Sequence, residues 1–345
     1  MSMNKEFFNR VTNISVKILK DSVSETGYRM TSFELEYPRF LHCELLTHRD
    51  LSRNCSSSRA IPIASMVKFT EENMAVPVYW GKKKRGMQAT EEVDADVSMN
   101  LWLEAYQSAV SSLKKMDDAD LHKQIANRII EPFQMMKVVV TATNLENFWN
   151  LRFHQDTLPE FVYLVQKMYL AVEESTPQTL RAGEWHLPYV EISTTENPED
   201  TYYFIYEEDE SGTETDGTMF EKRVSLEDAK IISSGRCAIV SYRTNSVKSD
   251  RAKSISGDMS DSEVVHASPF EHQGTPMKAA QWSMDGSDDV NLVDDVETWE
   301  EGITHMKRTG DLCSGNLTGF IQHRHLLDNN TCWDFDFEKR YADFS

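Results

Sequence analysis

The chain has 345 residues, of which 40% are hydrophobic, and its formal net charge is −20. This length accommodates one large domain or two ordinary ones, and the aromatic content of 10% argues against wholesale disorder. The acidic balance disfavours attraction to nucleic acid or to an anionic membrane surface, so we expect neither as a partner. Five cysteines without a CxxC pair exclude a zinc ribbon and disfavour a disulfide framework.

The N-terminal stretch lacks the apolar core of a signal peptide. No run in the chain approaches the roughly 18 apolar residues that a membrane helix needs. We therefore expect a cytoplasmic protein.

In chain order, the first predicted element is a half-buried strand at 31–37, where apolar and polar residues alternate. Pro38 ends this strand, and the pattern of residues 39–49 indicates a helix. A polar, serine-rich loop is then expected as far as Arg59.

Apolar periodicity typical of amphipathic helices recurs in three segments, 97–115, 119–130 and 158–172. The run Val138-Val139-Val140 fits either a buried strand or an extended helix. Thr143 and Glu146 have the spacing of a capping box, which predicts that a further helix begins at Asn144.

The second half of the chain is less regular. The acidic segment 196–217 predicts a solvated loop or an insertion, and the Ser-, Asp- and Lys-rich segment 246–263 is expected to be mobile. Between them, residues 226–234 are predicted to be helical and residues 238–242 to form a strand.

The segment 47–59 is the strongest candidate for chemistry, because it holds three arginines, a histidine and four serines in an acidic protein. Arginine forks and serine hydroxyls are the donors that a phosphate or a pyrimidine edge requires. The plainer interpretation is a surface turn with solvated arginines. No GxSxG, GxGxxG or Walker motif is present, so serine hydrolases, Rossmann dehydrogenases and P-loop kinases have no local support.

Three further features have both a functional and a plain interpretation. Asn147 and Arg152 lie on a predicted helix and either share an anion pocket or are ordinary surface residues. Two histidines in the segment 266–272 lack the spacing of HExxH, and Pro269 breaks the helix that would align them, so we predict no metal site. Cys55 lies among basic residues, which would lower the pKa of its thiol and favour a nucleophile, although a lone loop cysteine is usually inert.

These residues resemble the signatures of the flavin-dependent thymidylate synthases. The family's arginine- and serine-rich signature is matched at His48, Arg49, Ser52, Asn54, Ser57 and Arg59. A second signature is matched by the helix segment 147–152, with Arg128 before it. Two more family elements, matched at 236–242 and 266–272, follow these signatures instead of preceding them. The order is similar to that of long, permuted variants encoded by bacterial viruses.

The resemblance implies an α+β fold with a mixed or antiparallel sheet and helices, its elements in rearranged order. It divides the chain into family-like regions at 1–190 and 226–345, with an acidic insertion or linker at 191–225. It also implies a homotetramer that binds FAD and transfers a one-carbon unit from methylenetetrahydrofolate to dUMP, with NADPH as the reductant.

The resemblance also implies roles for individual residues. Arg152 would be catalytic, stabilising negative charge beside O2 and N3 of the pyrimidine. The residues implied to bind the nucleotide are Glu44, Cys55, Ser56, Ser57, Ser58, Arg59, Arg128 and Arg152. The residues implied to bind the flavin are His48, Arg49, Thr141, Thr143, Asn147, Ser241 and His272.

Three positions depart from the family signature: Thr47, Cys55 and Ala60 stand where the family has Arg, Glu and Tyr. These changes leave two alternatives to dTMP synthesis. One is a different outcome on the same fold, with dCMP as the acceptor or with hydroxymethylation. The other is a flavin- or nucleotide-binding protein without catalysis.

Overall fold

A computed structural model of the chain describes residues 13–86, 89, 91–195, 197, 200–208, 219–243, 248–261, 265–278, 299–328, 330–333 and 335–337. In these residues the chain is an α+β protein with antiparallel and mixed sheets. The α-helices are α1 His42–Leu45, α2 Ile63–Glu72, α3 Ala95–Asp118, α4 Lys123–Ala126, α5 Glu146–Arg152, α6 Pro159–Glu174, α7 Leu226–Ile239 and α8 Ser249–Ser260.

The β-strands are β1 Ser15–Ser24, β2 Arg29–Pro38, β3 Ser52–Cys55, β4 Met135–Ala142, β5 Gln178–Leu180, β6 Glu191–Ser193, β7 Tyr202–Glu208, β8 Met219–Val224, β9 Gly274–Pro276, β10 His305–Met306, β11 Leu312–Ser314, β12 Leu317–Thr318 and β13 Phe320–Gln322. The main sheet has the order β3-β4-β2-β1-β5, and three small sheets have the orders β6-β7-β8, β10-β11-β12 and β13-β9. In the main sheet β1 and β5 are parallel, and the other neighbours are antiparallel.

One face of the main sheet is apolar. Phe33, Leu35 and Tyr37 of β2 are fully buried there, and they belong to one core with Phe161 and Leu164 of α6. The alternation in the sequence therefore predicts this face correctly. Strand β4 is buried along its whole length, so the run at 138–140 is a strand and not an extended helix.

The opposite face of the same strand is polar and keeps part of its surface exposed at Glu34 and Glu36, as expected of a half-buried strand, although other segments cover much of it. Ser32 has no exposed surface. Glu34 forms an ion pair with Lys137 at 3.0 Å and accepts a hydrogen bond from the Tyr189 hydroxyl at 2.9 Å. Residues 189 and 237–240 cover this face, and its charged groups are paired because an unpaired buried charge is strongly unfavourable.

Three local predictions in the first half need correction. The serine-rich loop contains strand β3, which pairs with β4 and places Ser52 opposite Thr141. The helix predicted at 119–130 is reduced to α4 and a 3-10 turn, Asn127–Phe133, that includes Pro132. The capping box does not form, because α5 begins after Leu145 and the Thr143 hydroxyl accepts a hydrogen bond from another segment.

The second half differs more from the predictions. The acidic segment contains β7, the central strand of a small sheet, while residues 209–217 lie outside the described residues. The segment expected to be mobile contains α8, which packs against α7. The strand predicted at 238–242 is wrong, because α7 continues to Ile239 and a 3-10 turn, Val240–Tyr242, follows it. No helix within the described ranges has the length and apolar composition to cross a membrane.

Candidate active site

Three side chains meet at the guanidinium of Arg152, and we call the four residues the Arg152 cluster: Glu44, Thr47, His48 and Arg152. Arg152 is the last residue of α5, while the other three come from α1 and the turn after it. The guanidinium donates to Glu44 Oε2 at 2.9 Å, to Thr47 Oγ1 at 2.8 Å and to His48 Nε2 at 2.7 Å. The structure thus joins two residues predicted to bind nucleotide, Glu44 and Arg152, to one predicted to bind flavin.

Two aromatic rings pack against the Arg152 cluster. The guanidinium carbon of Arg152 lies 5.2 Å from the ring centroid of Phe161, and the His48 ring meets the Phe148 ring edge to face at 4.8 Å. The Arg152 side chain keeps 19% of its surface exposed. The cluster is therefore a fixed polar group at the edge of the core, with part of its guanidinium accessible.

The hydrogen bond from Arg152 fixes the protonation state of His48. Because the Arg152 Nε–H can only donate, His48 Nε2 must accept, which makes the imidazole neutral with its proton on Nδ1. Burial lowers the pKa of His48, and the positive charges of Arg152 and Arg53 lower it further. His48 can therefore donate a hydrogen bond only from Nδ1.

A second group surrounds one carboxylate, and we call it the Glu131 cluster: Arg39, Ser58, Arg128 and Glu131. Glu131 Oε1 accepts from Ser58 Oγ at 2.6 Å, Arg39 Nη2 lies 2.9 Å from it, and Arg128 Nη1 donates at 3.0 Å. Two guanidinium groups share a single carboxylate, so the cluster has an excess positive charge. The amide of Asn127 donates to the Ser58 carbonyl at 2.8 Å and fixes the turn beside Arg128.

Ser56, Ser57 and Ser58 form a turn, which we call the serine turn, and it contacts both β4 and the 3-10 turn at 240–242. Ser56 Oγ accepts from the backbone N–H of Lys137 at 3.1 Å, and the backbone N–H of Ser57 donates to the Ser241 carbonyl at 3.0 Å. The Ser241 hydroxyl donates to the Cys55 carbonyl at 3.4 Å. The structure therefore brings Ser241 next to the signature, although nearly 200 residues separate them in the sequence.

Cys55 does not have the character expected of a nucleophile. Burial raises the pKa of its thiol to about 11, although Arg53 and Arg39 act in the opposite direction. The expectation that neighbouring arginines lower this pKa is wrong, because loss of solvent outweighs their charges. The thiol is protonated at neutral pH.

Besides Arg128, three predicted site residues have exposed side chains: Arg49, Arg59 and Asn147. Within the described part of the chain, none of the three has a side-chain hydrogen bond or ion pair to another residue. Each adjoins one of the clusters in sequence, since Arg49 follows His48, Arg59 follows Ser58, and Asn147 lies on α5 with Arg152. These side chains are free to bind an anionic ligand.

Thr141 and His272 are instead buried on the polar face of the main sheet. Thr141 Oγ1 lies 2.9 Å from His272 Nδ1 and 2.5 Å from Ser32 Oγ, which in turn lies 2.8 Å from His186 Nε2. His272 has no exposed surface, and its Nε2 has no partner within the described residues. Thr141 and His272 have no exposed surface, and their roles in flavin binding stay predictions.

The burial of His272 predicts a measurable pH dependence of stability. Burial lowers the pKa of its imidazole to about 3 in the folded chain, from about 6.5 in the unfolded chain. Below pH about 6.5 the unfolded chain takes up a proton that the folded chain does not, so the free energy of unfolding falls as the pH decreases toward 3. At pH 5 the loss from this residue is about 2 kcal/mol. We expect His272→Gln to show a correspondingly smaller loss between pH 7 and 5 in urea denaturation, and an unchanged pH dependence would contradict this.

Several residues of these clusters were missed by the sequence reasoning. Arg39 and Glu131 join Ser58 and Arg128, and Asn127 fixes their geometry. His186 completes the buried chain by accepting or donating between Ser32 and Ser22. The sequence offered only weak signals for these two residues. Arg39 follows Pro38, which ends β2, and Glu131 lies three positions after Arg128, which the sequence had already indicated.

Within the described residues, no three side chains among His, Cys, Asp and Glu are grouped as metal ligands. The cysteines are all free thiols, with Cys43 and Cys332 exposed.

No protein-family model matches the chain, and no curated protein is significantly similar to it. Among solved structures, two complexes of the UMP/dUMP methylase PolB from Streptomyces cacaoi are similar to part of the chain. The structure with 5-Br dUMP has a TM-score of 0.40 and 16% identity, and the alignment covers 47% of this chain and 91% of PolB. The structure with 5-Br UMP gives a TM-score of 0.40, 16% identity and coverages of 47% and 90%.

Proposed function

We propose that the chain is a flavin-dependent enzyme with the fold of the flavin-dependent thymidylate synthases, which it resembles in sequence. In this proposal it binds FAD and a pyrimidine deoxynucleotide and transfers a one-carbon unit from methylenetetrahydrofolate to C5 of the base, with NADPH as reductant. The default reaction converts dUMP to dTMP.

The observation that carries the proposal is the meeting of the serine turn with the Glu131 cluster. Ser58 and Arg128 are 70 positions apart, yet both donate to one oxygen of Glu131, and Arg59 extends free from the same turn. A phosphate requires several cationic and hydroxyl donors within one small region, and it is bound most strongly by charge-assisted hydrogen bonds. In a chain of net charge −20, this local excess of arginine supports a nucleotide phosphate site.

The Arg152 cluster supports the second half of the nucleotide site. The guanidinium supplies donors for O2 of a pyrimidine, and the adjacent Glu44 carboxylate, with 27% of its surface exposed, supplies an acceptor. A carboxylate facing position 4 of the ring accepts a hydrogen bond from the 4-amino group of cytosine, whereas it is repelled by O4 of uracil. Glu44 thus favours dCMP as a second candidate acceptor, because cytosine presents a donor there and uracil presents an oxygen.

Arg49 and Asn147 are exposed donors that fit the anionic pyrophosphate of the flavin cofactor. Thr141 and His272 are buried and do not contact a ligand at the surface. We therefore assign the flavin to Arg49 and Asn147, with His48 Nδ1 as an additional donor. When bound, flavin supplies the hydride chemistry, and this chain's residues bind and orient the reactants. Arg152 would stabilise negative charge that develops on the pyrimidine ring.

Exposed apolar side chains surround the Arg152 cluster and support a site that is covered in the working enzyme. They are Leu46, Leu151, Phe153 and Leu158, each between 44% and 58% exposed. Exposed apolar side chains beside a polar site are typical of a ligand or subunit contact. We propose a homo-oligomer, which light scattering of the purified protein tests.

The Arg59→Ala variant tests the phosphate site. We expect its affinity for dUMP to fall at least about tenfold, because a charged hydrogen bond contributes about 1.5–3 kcal/mol. Its stability should stay unchanged, since the Arg59 side chain has no hydrogen bond or ion pair within the described part of the chain. Calorimetric titration of dUMP and urea denaturation give the two values.

Arg308→Ala is the matched control, because Arg308 is exposed and lies on the separate β10–β11 hairpin. Arg49→Ala should weaken FAD binding and leave dUMP binding intact. The wider proposal is tested by flavin absorbance and by mass analysis of dUMP or dCMP incubated with the co-substrates. A protein that cannot be loaded with FAD, and whose dUMP affinity is insensitive to Arg59, would overturn it.

A further inference from the structure

The small sheet β6-β7-β8 ends in an exposed edge strand, β8. This sheet lies in the segment that the family resemblance leaves as an insertion or linker, and none of the site residues above belongs to it. Tyr203 and Ile205 of β7 are buried on its inner face, in one core with α7. The other edge, β6, has only three residues, and its Glu191 forms an ion pair with Lys20 of β1 at 2.9 Å. Among the strands described in this sheet, β8 is therefore the edge that stays open.

The backbone of β8 is unpaired on the side that faces away from β7. All of its residues pair with β7, and within the described ranges its N–H and C=O groups make no other hydrogen bond. Its side chains are mostly exposed, and Met219 and Phe220 keep 50% and 43% of their surface accessible. A row of free backbone groups beside apolar side chains is a template for another strand, and main-chain hydrogen bonds give such a pairing its affinity.

Two opposite charges on β8, Glu221 and Arg223, have no ion pair in the described part of the chain. Both are exposed, and they lie on the same face because they are two residues apart on a strand. The guanidinium carbon of Arg223 lies 3.7 Å from the ring centroid of Tyr202, a contact that packs the side chain without neutralising it. A strand that presents the same two residues in the opposite direction would pair both charges.

We propose that β8 pairs with β8 of a second copy of this chain, antiparallel and centred on Lys222, so that two three-stranded sheets join into one. A two-fold axis normal to the sheet keeps the outer faces of both copies on the same side, so each residue must oppose one from its own face. Only the register centred on Lys222 places Glu221 opposite Arg223 of the second copy. The same register places Phe220 opposite Val224. Each of these pairs occurs twice.

The contact at the axis is the unfavourable one, because like charges directly opposite each other destabilise a sheet. Each Lys222 is neutralised inside its own copy, where its Nζ lies 3.0 Å from Glu207 Oε2 and donates to Ser249 Oγ at 3.1 Å. A register centred on Glu221 or Arg223 would instead oppose two charges that have no counter-ion. One short strand from each copy makes a small interface, so we expect an association that depends on protein concentration.

The test is sedimentation of the full chain over a range of micromolar concentrations. We expect the parent to self-associate and Glu221→Arg to weaken the association at least about tenfold, because arginine then opposes arginine at both pairs. Adding Arg223→Glu to this variant exchanges the two charges and should restore the association. Glu104→Arg makes the same change on the exposed side of α3 and should leave the association unchanged.

Three outcomes overturn the proposal. A monomeric parent would leave the edge of β8 to a strand of another protein. Association of Glu221→Arg as strong as that of the parent would show that copies meet through another surface, such as the apolar one beside the Arg152 cluster. A double variant no stronger than Glu221→Arg would show that these two charges do not meet. None of these results bears on nucleotide or flavin binding, because the inference does not rest on the proposed function.

A cysteine at the axis tests the register directly. Lys222 is the residue of β8 that faces its own equivalent, so Lys222→Cys should form a disulfide-linked dimer under mild oxidation. The background carries Cys43→Ser and Cys332→Ser, since both of these thiols are exposed. Glu221→Cys in the same background is the matched control, and it should cross-link much less because position 221 faces Arg223. Equal cross-linking of the two variants, or none in Lys222→Cys, overturns the assignment.

Discussion

We expect the Gly235→Ala variant to be destabilised by about 3 kcal/mol or more, near the upper end for overpacking of a core. Gly235 lies in α7 where this helix crosses α8. A Cβ at position 235 would lie 2.0 Å from the carbonyl oxygen and 2.6 Å from the carbonyl carbon of Ala252. These are backbone atoms, so no side-chain rotation relieves the clash, and the two helices must separate.

Gly257→Ala is the matched control, because Gly257 lies in α8 and its added Cβ would meet only the Asp261 side chain, at 3.8 Å. Alanine is the better helix former by about 1 kcal/mol, so this variant should be unchanged or slightly more stable. Urea denaturation of both variants and the parent gives the difference. Equal stability of Gly235→Ala and Gly257→Ala would show that the helices do not cross as closely as the structure has them.

The helix predicted at 226–234 is confirmed in α7, and the same crossing explains why its continuation to Ile239 was not predicted. A glycine at 235 and a short apolar run at 238–240 are poor signals for a helix, and a short run does not distinguish a strand from a buried helix. What makes α7 a helix is tertiary packing: Ala229 and Ile232 join one core, and Cys237 and Val240 pack against Val139 of the main sheet.

The first half was more predictable, because local pattern and tertiary contact agree there. The long helices α3 and α6 and the apolar alternation of β2 were all evident from hydrophobic period alone. The candidate site was predictable in its residue types but not in its pairings. The sequence does not show that Ser58 donates to Glu131 or that Arg152 donates to Glu44. Each pair joins segments that are distant in sequence and are brought together only by the sheet.

The pairing of Arg152 changes what a substitution there should do. Within the chain its guanidinium already donates to Glu44, Thr47 and His48, so it stabilises the fold before any ligand arrives. We expect Arg152→Ala to lower the free energy of unfolding by about 2–3 kcal/mol, below the value for a fully buried pair because part of the guanidinium is exposed. Arg128→Ala should lower it by less than about 1 kcal/mol, because Arg128 is 51% exposed and Arg39 still faces Glu131.

The measurement that separates structure from substrate binding is a double-mutant cycle with Glu44→Gln, read by urea denaturation and by dUMP titration. If Arg152 serves only the fold, its coupling to Glu44 appears in stability, and dUMP affinity is unaffected in the folded variants. If Arg152 also binds the base, Glu44→Gln weakens a competing acceptor and should raise dUMP affinity, whereas Arg152→Ala should lower it about tenfold. The geometry favours one result: Arg152→Ala loses both stability and dUMP affinity, and Glu44→Gln gains dUMP affinity. The reason is that Glu44 occupies the donors that the pyrimidine would use. An Arg152→Ala variant that is as stable as the parent would contradict the hydrogen bonding of the Arg152 cluster.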